Sequence, residues 1–453
     1  MRLQNPACLA LLCLALGACS EEPAPPPHVV LVLVDQLRED AVERWMPGTQ
    51  ALGEAGVRFT QMRSAAPWTY PSVISLFSGL YPQQHGADGQ HPDPADPAKG
   101  KQLSTFEEGV PLFSRILNSS YHTAGFVTNP FLHDWNPFHS SFDHYVVDPF
   151  IGSQGDQRGN PDEVWTADMF ADDVNREVLA HFGARELGEP EFTYVHYIDV
   201  HGPWTGAPFE VADLDYKKTN QEAYASAARY TDQKILELYR YFLERYDGEL
   251  IFIVTSDHGQ ELGQELLEGQ DQRARGRKNT PHEFNTRIPF LILPSKEVPR
   301  ALHSELSCSN VDVAPTLLEW LGFPVPGGLA GRSLLGVIRG EEPSKELLER
   351  PTYTLMNAFG KSNDCMVFRG KKLVRHRDVA SGEVAARWIF DLEQDPRELI
   401  IQGTEFGAAE PLLESLAGPG ELSFEKHFGE QSAKLIEGLQ GLGYIGDEAE
   451  DEK

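Results

Sequence analysis

The feature that most constrains the fold is a continuous run of aliphatic, mostly β-branched residues, HVVLVLVD, at positions 28–35. A strand without polar alternation is buried on both faces, which is typical of a parallel sheet covered by helices on each side. Three further runs have the same character, at 192–198, 250–255 and 289–293. Helical patterns lie between them, at 40–55, 71–77, 112–117, 167–179 and 220–245. The sequence therefore predicts an α/β sandwich around a mostly parallel sheet.

Near position 345 the pattern changes to short alternating strands, in TYTLMNA, CMVFRGKKLVRH and ARWIFDLE. Alternation of this kind predicts a small antiparallel sheet, and a helical segment follows at 426–442. We expect the chain to divide into five segments. They are a lipoprotein signal peptide (1–18), a Pro-rich tether (19–27), the main α/β domain (28–345), a C-terminal α+β subdomain (346–446) and an acidic tail (447–453).

The first residues have the pattern of a secretory signal, with a basic Arg2, an apolar core and small residues before Cys19. The order Leu-Gly-Ala-Cys at 16–19 resembles a bacterial lipobox, which would make Cys19 the acylated first residue of the mature protein. The alternative is a plain cleaved signal with an incidental cysteine. We expect an exported protein of the bacterial cell envelope, anchored by lipid in the outer membrane, facing the periplasm, with no other membrane contact.

The charge of the chain limits its partners. The formal net charge is −29, and an excess of carboxylates repels a phosphate backbone, so we expect no nucleic-acid partner. An anionic small molecule is not excluded, because a bound metal and a few cations reverse the field inside one pocket.

Polar residues follow two of the predicted buried strands. Asp35 ends the first run, and Asp257 and His258 follow the run at 250–255. Since ligands bind at the carboxyl edge of open α/β sheets, these side chains predict a site for one divalent metal: calcium, magnesium, manganese or zinc. The alternative for any single aspartate is that it caps a helix.

A hydroxyl stands at the start of the helical segment TYPSVISLFSG. Thr69 would see unpaired backbone N–H groups and the positive end of the helix dipole, which favour an anionic oxygen. A metal would lower the pKa of this hydroxyl enough to make it a nucleophile. The alternative is that Thr69 is an ordinary helix cap.

Two later segments add basic side chains. His201, in DVHGPW, follows a strand end and is a candidate general acid, although a lone histidine is more often structural. Lys278 in KNTPHEF would stabilise developing negative charge, and His282 is a candidate substrate contact.

In this order, these segments resemble the sulfatase family of the alkaline phosphatase superfamily. The resemblance runs from about residue 28 to 446 and rests on VDQLRED, TYPSVISLFSGLYPQQHG, YHTAGFVTNPFL, DVHGPW, TSDHGQELG and KNTPHEFNTRIPF. It implies an alkaline-phosphatase-like α/β/α sandwich with a small C-terminal antiparallel sheet and helix. It also implies a metal-dependent hydrolase of sulfate- or phosphate-type esters, whose substrate is a small molecule, a glycan or a lipid head group.

The resemblance also implies roles for single residues. One divalent cation would be bound by Asp35, Gln36, Thr69, Asp257 and His258. Lys278 would meet the transferred group, His201 the leaving-group oxygen, and Asn129 the substrate. Gln36 and His258 stand where many members have Asp and Asn.

Two departures from the family pattern bear on the chemistry. Thr69 occupies the position of the Cys or Ser that becomes formylglycine, and Val73 replaces the arginine that ends the motif. An aldehyde hydrate cannot form at a threonine, whereas threonine is the nucleophile in other branches of the superfamily that act on phosphoesters. The alternatives left open are a phospho-group transferase acting on an envelope acceptor and an inactive binding protein with this fold.

Overall fold

The computed structural model describes residues 26–92, 101–133, 135–147, 169–202, 221–262 and 280–428. The predictions for the signal peptide, Cys19, Lys278 and the acidic tail, and for most of the helix at 426–442, lie outside these ranges. Across the described ranges, no helix combines the length and the apolar character that crossing a bilayer requires.

The strands and helices are as follows, in chain order. The strands are β1 (His28–Val34), β2 (Val57–Phe59), β3 (Met62–Arg63), β4 (Gln90–Pro92), β5 (Lys101–Leu103), β6 (His122–Val127), β7 (His144–Val147), β8 (Glu191–Tyr197), β9 (Leu250–Thr255), β10 (Phe290–Ile292), β11 (Leu302–Ser304), β12 (Cys308–Ser309), β13 (Thr352–Ala358), β14 (Lys361–Phe368), β15 (Lys371–Arg377) and β16 (Val384–Asp391). The helices are α1 (Glu39–Trp45), α2 (Pro47–Ala55), α3 (Thr69–Ser78), α4 (Pro82–His85), α5 (Phe113–Leu117), α6 (Ala171–Gly183), α7 (Gln221–Arg245), α8 (Glu283–Thr286), α9 (Val313–Trp320), α10 (Leu335–Ile338), α11 (Lys345–Glu349) and α12 (Glu410–Ala417).

The main sheet has eight strands in the order β11-β2-β10-β9-β1-β8-β6-β7. It is mostly parallel, as predicted, but the expectation of a parallel strand at 289–293 is wrong. That strand, β10, is antiparallel to both of its neighbours. A short buried run has the same composition in either direction, because full burial on both faces removes the alternation that distinguishes them. The strands β2, β6, β7 and β11 were not predicted.

The helix predicted at 40–55 is two helices, α1 and α2, which meet at Met46. Pro47 is the first residue of α2, where the missing N–H of proline is tolerated, and it ends the hydrogen-bonded ladder of α1. The helix predicted at 71–77 begins two residues earlier, so Thr69 is its first residue.

The sheet separates two apolar cores, one on each face. Val29, Leu31 and Leu33 of β1 face the core that contains α3 and α9. Val30, Val32 and Val34 face the core that contains α1, α6 and α7. Because side chains alternate along a strand, Asp35 continues the row that faces α3.

The C-terminal sheet is antiparallel in the order β13-β14-β15-β16, as the alternating pattern predicted. Strand β13 attaches it to the main body, where Leu355 N–H donates to the Ala65 carbonyl (2.9 Å) and Thr354 Oγ1 to the Ser64 carbonyl (2.7 Å). The boundary at residue 345 stays a prediction.

A group of charged side chains, here named the Lys372 cluster, is buried where the two sheets meet. Lys372 Nζ lies 3.0 Å from Glu283 Oε1 and 3.1 Å from Glu398 Oε1. Arg63 pairs with Glu283 (2.8 Å), and His282 Nδ1 lies 3.3 Å from Glu398 Oε2. Each carboxylate therefore has at least one cation beside it.

Candidate active site

The register of the central strands brings two carboxylates to the same level at the carboxyl edge of the sheet. Leu33 pairs with Thr255 of β9, so Asp35 and Asp257 follow at equivalent positions. Ile251 and Ile253 of β9 belong to the α3-side core, so Asp257 continues that row as Asp35 does. The sequence-based expectation that these residues converge agrees with the geometry.

Asp35, Asp257 and His258 form a compact group of potential metal ligands. One ligand atom from each lies within 4.8 Å of the others, and all three residues are buried. His258 Nε2 is 3.9 Å from Asp35 Oδ1 and 3.6 Å from Asp257 Oδ2. Three buried oxygens here lack a hydrogen-bond partner among the described residues: Asp35 Oδ1, Gln36 Oε1 and Asp257 Oδ2. Buried acceptors without donors are costly, and a cation held by Asp35 and Asp257 would satisfy the two carboxylate oxygens.

The electrostatics of the two aspartates also fit a cation. Burial and the negative charge of Asp35 raise the pKa of Asp257. Burial would also raise the pKa of Asp35, but a hydrogen bond from His196 and the charges of nearby histidines outweigh it and hold that pKa below its usual range. Within the described parts of the chain, no lysine or arginine forms an ion pair with either carboxylate. The donor set of oxygens and one imidazole suits a divalent metal.

The orientation of His258 leaves one ring nitrogen available. Its Nδ1 lies 2.8 Å from the Gly259 carbonyl, which only accepts, so Nδ1 is the donor in this contact and Nε2 is the nitrogen left to face a metal. Glycine is needed at 259 because a Cβ there would lie 2.1 Å from the carbonyl oxygen of Phe284.

Gln36 is held in an unusual backbone conformation beside Asp35. Its φ is 60°, which a side chain with a Cβ rarely adopts. Tyr224 fixes this turn from α7, because its hydroxyl donates to the Gln36 carbonyl (2.9 Å) and accepts from Arg38 N–H (2.9 Å). Gln36 N–H also donates to Asp257 Oδ1 (3.1 Å). Backbone strain of this kind persists where several surrounding contacts hold the residue in place, and such residues are common at functional sites.

Thr69 lies beside this group, at the start of α3. Its Oγ1 is 3.4 Å from Asp35 Oδ2 and 3.5 Å from His258 Nε2, and the residue is fully buried. The helix is fixed by Ser72, whose Oγ donates to the Asp257 carbonyl (2.5 Å) and accepts from Asn310 Nδ2 (2.9 Å). Val73, where the family pattern has arginine, is packed in the apolar core.

Two further side chains contact Asp35. Asn129 Nδ2 donates to Asp35 Oδ2 (2.6 Å) and lies 3.4 Å from Thr69 Oγ1. His196 Nε2 is 3.4 Å from the same carboxylate oxygen. No role was predicted for His196 from the sequence, because it lies within a strand. One signal was available in the sequence. His196 lies two residues after Tyr194, so the two side chains lie on the same face of β8, and His196 is the nearer of the two to the carboxyl edge of the sheet.

The structure gives His201 and His282, the other predicted residues it describes, different surroundings. His201 is buried in the turn that follows β8, and its charge lowers the pKa of Asp35. His282 contacts Glu398 and the rings of Phe284 and Phe390 in the Lys372 cluster, so its predicted substrate contact has no support in these contacts. Asp199, two residues before His201, accepts from Ala171 N–H at the start of α6 (3.0 Å).

Comparison with known proteins gives consistent results. The family model described as Sulfatase matches residues 27–323. The putative extracellular sulfatase Sulf-1 homolog of Caenorhabditis elegans is 26% identical over 378 residues, which cover 70% of this chain and 50% of that protein. This chain therefore spans about half the length of that relative.

Solved structures share the fold at low sequence identity. BT4656, solved in complex with its substrate D-glucosamine-2-N,6-O-disulfate, has a TM-score of 0.63 and 17% identity, covering 86% of this chain and 97% of that one. The phosphonate monoester hydrolase of Agrobacterium radiobacter has a TM-score of 0.61 and 16% identity, covering 86% and 94%. Together with a family model that spans well over half of the residues, this confirms the predicted family and fold class. The chain belongs to the sulfatase family.

Proposed function

We propose that the protein is a metal-dependent hydrolase of sulfate- or phosphate-type esters, with Thr69 as the nucleophile. The observation that carries this proposal is the position of the Thr69 hydroxyl, 3.4 Å from Asp35 and 3.5 Å from His258 at the mouth of the sheet. Family membership supports ester hydrolysis, and the orphaned oxygens of the site support a metal.

The metal ligands in this proposal are Asp35, Gln36, Thr69, Asp257 and His258. A divalent cation there supplies Lewis acidity, which lowers the pKa of a hydroxyl and attracts the oxygens of an anionic ester. Calcium, manganese, magnesium and zinc all accept this donor set.

The proposed reaction has two steps. In the first step Thr69 Oγ1, 3.4 Å from Asp35 Oδ2, releases its proton to solvent and attacks phosphorus or sulfur, and His201 protonates the ester oxygen as the bond between that oxygen and the phosphorus or sulfur breaks. Lys278 stabilises the charge on the transferred group, and Asn129 positions it. A water molecule then attacks the same phosphorus or sulfur, which releases Thr69 with its hydroxyl restored.

The second step favours phosphoester substrates over sulfate esters. A formylglycine hydrate releases its covalent group by expelling an aldehyde, whereas an ester of threonine has to be broken by a second attack. Threonine serves this purpose in phosphoester-cleaving branches of the superfamily. An alcohol in place of water would make the protein a transferase, which is the second candidate function because the same threonine ester serves both.

The substrate and the location form the remaining part of the proposal. A structural neighbour was solved with a sulfated glucosamine, which supports an anionic glycan ester beside small molecules and lipid head groups. Two relatives carry extracellular in their names, which supports export. We place the protein in the bacterial cell envelope, attached through a lipid on Cys19 and facing the periplasm.

The decisive experiment compares Thr69→Ala with Thr69→Ser on an aryl sulfate, a phosphate monoester and a phosphodiester, each with the four divalent ions. We expect Thr69→Ala to lose at least about 10³-fold in kcat/KM, as removal of a nucleophile does, and Thr69→Ser to retain part of the activity. Thr231→Ala is the matched control, because this buried hydroxyl donates to a carbonyl within α7.

The results separate the alternatives. Unchanged turnover by Thr69→Ala contradicts the nucleophile. Absence of turnover on every substrate, with no stoichiometric metal, favours the inactive binding protein. Product formation that depends on an added alcohol favours the transferase.

A further inference from the structure

A cleft of about 140 Å³ lies where the start of α1, the helix α8 and the loop after β16 meet. Its walls combine arginines and carboxylates with two apolar side chains, and we name it the Arg287 pocket. The arginines are Arg38, Arg44, Arg287 and Arg397, and the apolar side chains are Phe284 and Pro396. The proposed reaction uses none of these residues.

The carboxylates in the walls are surrounded by more than one basic group each. Glu283 and Glu398 face the cations of the Lys372 cluster. The other two each pair with two arginines: Glu39 with Arg58 (2.8 Å) and Arg287 (3.4 Å), and Asp40 with Arg38 (2.8 Å) and Arg44 (3.4 Å). Among the described residues, basic groups therefore outnumber carboxylates around the pocket, even though Arg58 is shared with Glu54. This local excess occurs in a chain whose formal net charge is −29.

Arg44 and Arg287 retain N–H groups for a further acceptor. A guanidinium has five donors in a planar fork. The Nε of Arg287 donates to the Thr60 carbonyl (2.8 Å), and one terminal nitrogen faces Glu39. Arg44 is half exposed, and its ion pair with Asp40 involves a single nitrogen. The remaining N–H groups suit a tetrahedral anion, whose oxygens accept more hydrogen bonds than the two oxygens of a carboxylate.

Phe284 and Pro396 give the pocket an apolar part. The ring of Phe284 stacks on that of His282, with centroids 5.4 Å apart and planes 19° from parallel, which fixes its position. An apolar wall beside convergent charged groups is typical of a site for an organic ligand. The volume of the cleft is sufficient for several water molecules or for one small anionic group.

We propose that the Arg287 pocket is a second anion-binding site, which binds a sulfate or phosphate group, either free or attached to a small saccharide. Arg44 and Arg287 bind the oxygens of this group, Arg397 adds positive charge at the exposed rim, and Phe284 contacts the carbon skeleton. The proposal does not depend on the proposed esterase function. The side chains of Asp35 and Asp257 lie on the α3 side of the sheet, whereas α1 packs on the other face.

The test uses the full mature protein carrying Lys278→Met and kept free of divalent metal, so that the candidate active site holds anions less tightly. Calorimetric titration compares inorganic sulfate with a monosaccharide that carries one sulfate, and we expect a Kd below about 1 mM for at least one of them. In this background, Arg287→Gln should weaken binding at least about tenfold and Arg44→Gln about threefold. Arg176→Gln is the matched control, since that exposed arginine also pairs with an aspartate of its own helix.

The two probes distinguish the sources of the anion. Tighter binding of the sugar sulfate, with a loss in Phe284→Leu that free sulfate does not show, identifies an attached group as the ligand. Equal binding of the two probes identifies the free ion.

Two results would overturn the proposal: equal affinity in Arg287→Gln and Arg176→Gln, or no binding of either probe. Because Arg44 is half exposed, Arg44→Gln separates anion binding from folding. Loss of turnover in Thr69→Ala with anion binding retained would support the esterase and the Arg287 pocket separately.

Discussion

Two buried charged groups in this protein have opposite electrostatic balance. In the Lys372 cluster, two carboxylates face a lysine, an arginine and a histidine within ion-pair distance. At the candidate active site, Asp35 and Asp257 are fully buried beside each other, with histidines as their ion-pair neighbours in the described part of the chain. The first group is complete as it stands. A positive ligand would complete the second.

The difference is visible in the pKa shifts. Burial would raise the pKa of Glu283, but the charges of Arg63 and Lys372 outweigh burial and hold that pKa well below its usual range. Among the described residues no lysine or arginine pairs with Asp257, and its pKa is raised by burial and by the charge of Asp35. Buried charge that is paired is structural, whereas buried charge that lacks a partner marks a ligand site.

Removing the lysine charge from the Lys372 cluster should have the largest effect on stability. Lys372→Met leaves Glu283 and Glu398 with less compensation in a buried position, so we expect a loss of about 3–5 kcal/mol in the free energy of unfolding. Denaturant titration measures it. The control is Lys371→Met, the adjacent residue of β15, which is half exposed and pairs with Asp391; it should cost less than about 1 kcal/mol. Equal losses in the two variants would show that the buried ion pairs do not stabilise the interface.

Binding of a divalent ion beside Asp35 and Asp257 should have the next largest effect on stability. A divalent ion at 100 times its Kd should stabilise the wild-type protein by about 2.7 kcal/mol, because it binds the folded state. Thermal unfolding after chelation and after readdition of each metal measures the shift. Asp257→Asn should lose this response, while Lys371→Met should keep it. A metal response that survives Asp257→Asn would place the stabilising ion elsewhere.

The third effect is also a stabilisation, and it comes from a substitution at the same carboxylate pair. In metal-free protein, Asp257→Asn should raise the free energy of unfolding at pH 7 by about 1–3 kcal/mol. The amide keeps an oxygen for Gln36 N–H and His258 N–H, removes the repulsion of Asp35, and adds a donor facing it. Comparison of metal-free variants by denaturant titration tests this. Destabilisation would mean that the Asp257 carboxylate is already compensated without metal.

Much of the fold could be predicted from the sequence because strands that are buried on both faces consist of apolar residues. The runs at 28–35 and 250–255 are entirely apolar between their first and last residues, and they form adjacent strands of the sheet. The direction of β10 was missed because three buried residues carry no directional signal. The strand at His122–Val127 was missed because Thr123 and Gly125 interrupt its apolar pattern.

The candidate site, like the fold, could be predicted from the sequence only in part. The residue types at 35, 69, 257 and 258, each at the end of a strand or the start of a helix, were sufficient to name the metal group and the hydroxyl. His282 lies in a motif that resembles the family, whereas His196 lies within the buried run at 192–198. The fold gives them different neighbours: His196 lies beside Asp35, and His282 beside Glu398.

By itself, the sequence determined the family, the layered α/β architecture and the atoms that can act as ligands, because these depend on local composition and on order along the chain. The tertiary structure decided which charges are compensated and which rings face each other. That outcome depends on strand register and on contacts between residues more than 200 positions apart, such as Asp35 with Asp257 and Arg63 with Glu283. No local pattern records such contacts.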